Sequence, residues 1–94
     1  MRNKPKYKPA FERKFKKHYK NMLKGGRYKK EDFEKVYWKL LCNEPLEPRY
    51  NDHPLVNRKP ERDLHIKPDW LLIYKYDGEF VRFIDTGTHA DLFK

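Results

Sequence analysis

Three histidines fall in three short motifs of the C-terminal half. The motifs are Asp52-His53-Pro54-Leu55, Arg62-Asp63-Leu64-His65 followed by Pro68-Asp69-Trp70, and Thr86-Gly87-Thr88-His89 ending at Phe93. An imidazole titrates near neutrality, so one ring can accept a proton while another donates one. Asp69 adds a carboxylate, Trp70 and Phe93 add aromatic surface, and Arg62 and Lys67 add cations suited to phosphates. Together these supply what RNA cleavage without a metal requires. No closely spaced Cys or His pair has zinc spacing, so no metal and no other cofactor are expected. Any one of the histidines taken singly would be an ordinary solvated or locally bonded ring, and Trp70 alone would read as core. It is the combination that points to chemistry.

The elements that must position these groups are legible in outline. Residues 1–9 are basic and broken by Pro5 and Pro9, which suits an exposed lead-in with a short edge strand around Lys6, Tyr7 and Lys8. From Ala10 to Lys24, Phe11, Phe15, Tyr19, Met22 and Leu23 recur at helical spacing, and Gly25-Gly26 stops the run. A second helix is predicted from Lys30 to Asn43, with Phe33, Val36, Tyr37, Leu40 and Leu41 as its apolar stripe. Glu31 and Asp32 in its first turn favour that start. Residues 44–60 carry four prolines and read as an irregular loop bearing His53.

Beyond the loop, Arg62–Lys67 alternates, with Leu64 and Ile66 on one side and Asp63, His65 and Lys67 on the other. Trp70–Tyr76 is an apolar run fit for a central strand, Asp77-Gly78 marks a hairpin, and Glu79–Asp85 returns. Thr88 and Asp91 have capping-box spacing, which predicts one helical turn placing His89 and Phe93 on one face. The expected architecture is α+β: an N-terminal helical hairpin packed on one face of a small antiparallel sheet, the other face open.

Size and charge narrow the function. Ninety-four residues make one domain, 1–94, with a small core. Lys and Arg number 23 against 14 acidic residues, a formal charge of +9, so the partner is expected to be a polyanion or an acidic protein. No apolar run is long enough for a membrane span, so no membrane partner is expected, and one cysteine suits a reducing cytoplasm. The clustered lysines at 14–20 and 29–30 read first as solvated helix faces.

The stretches Tyr50–Leu55, Arg62–Tyr74 and Thr86–Phe93 resemble the YafQ-type toxins of the RelE/ParE superfamily, the endoribonucleases of bacterial type II toxin–antitoxin systems. The resemblance implies an enzyme that cuts mRNA on the ribosome without a metal, by attack of a 2′-hydroxyl on the adjacent phosphate, and that is neutralised by an acidic antitoxin. It implies that His53, His65, Asp69 and His89 are the acid–base and transition-state groups, with Asp69 the candidate base and His89 the candidate acid. Trp70 and Phe93 would position substrate.

On physical grounds Asp69 removes a hydroxyl proton poorly unless its surroundings raise its pKa, and it can instead orient a histidine. One position departs from the family: Asp85 stands where an arginine is usual. A carboxylate facing the phosphate would repel it, and Arg62, Lys67, Arg49 and Arg58 are then the candidate substitutes. Asp85 also favours an alternative, a non-cleaving RNA- or ribosome-binding inhibitor of the same fold. A basic RNA-binding scaffold with incidental histidines is the third reading.

Overall fold

A computed structural model describes residues 4–93. The chain opens with strand β1 (Lys8–Phe11), then helices α1 (Arg13–Lys24) and α2 (Lys30–Leu41). A 3-10 turn at Pro48–Tyr50 leads to β2 (His53–Pro54), β3 (Arg62–Lys67), β4 (Trp70–Asp77), β5 (Phe80–Gly87) and the single-turn helix α3 (His89–Leu92). The strands form one sheet in the order β1-β5-β4-β3-β2. The α+β layout and the helical hairpin are as the sequence implies. The sheet, however, is mixed: β1 runs parallel to β5, while the other neighbours are antiparallel.

The edge strand lies a few residues later than expected. Ala10 and Phe11 belong to β1, opposite Arg82 and Phe83, and α1 starts only after Glu12. The helical spacing of Phe11 and Phe15 misleads because both rings reach one cluster, Phe11 stacking on Phe15 and Phe83 from the strand. Pro9 is tolerated there because β1 has a neighbour on one side only. The second helix also stops earlier than expected, and Cys42 is its buried C-cap.

The main core lies between the helices and the sheet. Phe15, Phe33, Val36 and Leu40 meet Leu64, Ile66, Leu72, Tyr74, Val81 and Phe83. Burying each such side chain stabilises the fold by about 1.5–3 kcal/mol. A second, smaller cluster covers part of the opposite face: Leu55, Ile73 and Ile84, with Leu92 of α3 packed on them. That face is therefore not fully open, and Leu92 is what draws the C-terminal turn over the sheet.

Two irregularities set which side chains point where. Between β4 and β5 the register jumps, Tyr74 facing Phe83 and Ile73 facing Asp85, so Ile84 is the extra residue of a bulge. Between β3 and β4 a second jump lies at His65/Lys67. At the other hairpin Gly78 takes φ +60°, which the turn requires and a side chain resists.

Candidate active site

The site is built where the open face of β3 meets α3 and the end of the proline-rich segment. His53 does not ride on a free loop: it pairs in β2 with Asp63 of β3. Asn51 adopts φ +47°, a left-handed conformation asparagine accepts more readily than most residues, and turns its carbonyl toward the ring. His53 Nδ1 donates to that carbonyl at 2.6 Å, because a carbonyl oxygen can only accept. Nε2 is thereby aimed at Asp63, 3.7 Å from Oδ2.

Asp63 is 4% exposed. Burial pushes its carboxyl above the usual carboxylate range, partly countered by the attraction of His53, His65 and His89. Its Oδ1 has no hydrogen-bond partner among the described residues. The field of Asp63 thus reaches all three imidazoles. Two residues on, His65 shares that face of β3, and its ring packs edge-on against His89 with centroids 5.3 Å apart.

His89 opens α3, whose start is fixed by a complete capping box. Thr88 Oγ1 accepts from the Asp91 amide at 3.2 Å, and the Thr88 amide donates to Asp91 Oδ2 at 3.0 Å. Gly87, just before, leaves no room for a side chain: a Cβ there would stand 2.9 Å from Asp91 Cβ. Asp69, in the β3–β4 turn, holds His89 twice. Its Oδ1 accepts from the His89 amide at 3.1 Å and from Nδ1 at 3.0 Å. This fixes the Nδ1–H tautomer and leaves Nε2 for a substrate. The same two bonds, with Arg27 nearby, hold the Asp69 carboxyl below the usual carboxylate range. Asp69 is consequently a weak proton acceptor and a good anchor.

Three of the residues expected to touch substrate are placed otherwise. Trp70 is 0% exposed, packed among Tyr19 and Tyr28 under the helices. Its Nε1 donates to Thr86 Oγ1 at 2.8 Å, and Thr86 donates to the Leu71 carbonyl at 2.6 Å. The indole therefore braces the β4–β5 pair from behind the site. Arg62 has the parity of Leu64, not of His65, and forks onto Asp52, which also accepts from the Tyr74 hydroxyl. Lys67 is turned by the β3–β4 bulge toward α2, where Nζ lies 3.5 Å from Asp32. Phe93, by contrast, is exposed directly after α3, its amide donating to the His89 carbonyl at 2.8 Å.

Asp85 does not face a phosphate site. It is 6% exposed and turned to α1, where it accepts from His18 Nδ1 at 2.6 Å and lies 3.5 Å from Lys14 Nζ. The Thr86 amide donates to it as well. Two residues on from Phe83, it shares that residue's parity toward the helices. Sequence reasoning missed Asn51, Thr86 and His18 as supports. Asparagine beside a histidine hints at a left-handed turn, whereas His18 gave no signal.

Comparison with known proteins places this arrangement in a lineage. Residues 7–94 match the family model described as the bacterial toxin of type II toxin–antitoxin system, YafQ. The mRNA interferase toxin YafQ of Escherichia coli strain B / BL21-DE3 is 47% identical over 70 residues, 71% of this chain and 76% of the relative. The protein of the same name from strain K12 is 42% identical over 80 residues, 80% of this chain and 87% of the relative. Among solved structures, the E. coli DinJ–YafQ complex aligns with TM-score 0.83 and 36% identity, covering 94% of this chain and 99% of the matched one.

Proposed function

The chain belongs to the YafQ family of bacterial type II toxin–antitoxin toxins, and from that membership we propose that it cuts messenger RNA on the translating ribosome and so arrests protein synthesis. The observation that carries this reading is the meeting of two imidazoles from distant segments, with Asp69 fixing one of them. The arrangement suits cleavage by the RNA's own 2′-hydroxyl. His65 takes the hydroxyl proton as the 2′-oxygen attacks the neighbouring phosphorus. The bond from phosphorus to the 5′-oxygen breaks, and His89 Nε2 gives its proton to that departing oxygen. The products are a 2′,3′-cyclic phosphate and a free 5′-hydroxyl.

Among the described residues no hydrogen bond holds the His65 ring, so both its nitrogens are free to meet substrate. Asp69, its carboxyl held low by its two bonds to His89, is better suited to orienting the acid than to acting as the base. His53, with Nδ1 held by Asn51 and Nε2 turned toward Asp63, stands beside the path of the phosphate as a polar support. Phe93 offers a stacking surface one turn from His89. Trp70 acts indirectly, through Thr86.

The non-cleaving alternative loses its main support, because Asp85 is turned to His18 and Lys14 of α1, away from His53, His65 and His89. An acidic antitoxin is the expected regulator, since a chain of charge +9 offers it a cationic surface to cover. A helix long and apolar enough to cross a membrane is not found among the described residues. Primer extension on translated message tests the reading. Wild-type protein should produce discrete cuts that His89→Ala lacks; intact message with folded wild type would defeat it.

A further inference from the structure

We propose that Arg27, with Lys67 beside it, forms a subsite for the backbone phosphate of the nucleotide flanking the cut bond on the Asp69 side. The inference rests on the RNA-cleavage reading above. A cavity of about 260 Å³ opens beside the histidine site, lined by Arg27, Tyr28, Lys67, Pro68 and Asp69. Asp69 is its shared wall: one carboxylate both borders the cavity and holds His89. RNA lying across His65 and His89 must continue past that wall.

The charges around the cavity are unevenly committed. Asp69 is engaged by His89, and Asp32 by Lys67. Arg27 has no ion pair among the described residues. The arginines that the sequence offered as candidates are each paired with a carboxylate: Arg49 with Glu47, Arg58 with Glu61 and Arg62 with Asp52. Arg27 is also well mounted. It follows Gly25-Gly26, where Gly26 takes φ +74° and turns the chain sharply after α1. Its guanidinium sits 5.2 Å over the Tyr28 ring, and Tyr28 packs on the buried Trp70 at 5.3 Å. A guanidinium held this way presents a planar fork to a phosphate with little further loss of freedom.

The test is binding of a short RNA carrying 2′-deoxyribose at the cut position, by fluorescence anisotropy across a salt series. A matched set replaces single linkages with uncharged methylphosphonate. Arg27→Ala should weaken binding of the all-phosphate RNA by about tenfold and lower the salt slope by ~0.7. One neutral linkage next to the cut should weaken wild type alike and leave Arg27→Ala no weaker still. Arg27→Lys should recover part of the loss, and unchanged melting would show the variants folded. Equal affinity of wild type and Arg27→Ala, an equal loss on every RNA, or no binding at low salt would overturn the subsite. Failure of wild type to cut message, with this phosphate-dependent loss intact, would instead sink the nuclease reading alone.

Discussion

The two carboxylates beside the histidines are perturbed in opposite directions, which makes them separable by experiment. Asp63 is raised by burial, so the native state holds its proton to higher pH than the unfolded chain. Its contribution to stability is therefore fullest in acid and falls as pH rises from the ordinary value of 3.8 through the raised one. Asp63→Asn should melt a few degrees higher than wild type at pH 7, with the gap closing below pH 3.8, as followed by circular dichroism. Asp69 is depressed, so its contribution is present above 3.8 and lost as pH falls through the lower native value. Its larger role is kinetic. His89→Ala should cost ~10²–10⁴-fold in cleavage rate, and Asp69→Asn a smaller part of that, without loss of bound RNA. The sequence made the histidines and Asp69 visible because their residue types are scarce and chemically loud. It could not show that Trp70 points inward and Arg62 forks onto Asp52, since that depends on which face each strand turns to the helices.

At the level of elements, α3 depends on its cap. A four-residue helix has no stability of its own, so the Thr88–Asp91 box and the Asp69 bonds carry it. Asp91→Ala should remove about 1 kcal/mol of local stability and slow cleavage while barely moving the melting temperature. Gly87→Ala should do more, because the new methyl meets Asp91 at 2.9 Å and displaces the residue that closes the box. Asp85→Arg gives the sharpest contrast. It removes the carboxylate that accepts from His18 and the Thr86 amide and sets an arginine beside Lys14, so it should cost about 1–3 kcal/mol and gain no cleavage. A variant that melted like wild type and cut faster would show the side chain facing the substrate after all. The capping box and both helices were readable because each is a local pattern. The bulge at Ile84 was not: it is a mismatch between two strands, and neither strand alone records it.

For the molecule as a whole, a charge of +9 predicts RNA affinity that falls steeply with salt, by roughly 0.7 in logarithmic slope per phosphate neutralised. A slope near zero would mean that binding is not led by the backbone. The +9 was plain from composition, but the sheet's closure was not, since nothing local in residues 8–11 names β5 as their neighbour. That pairing has a bearing on how the protein is made. Among the described residues the first strand in chain order pairs only with the last, and the turn carrying His89 comes later still. A growing chain therefore cannot close the sheet, or bring His89 to His65, until β5 and the turn after it have emerged.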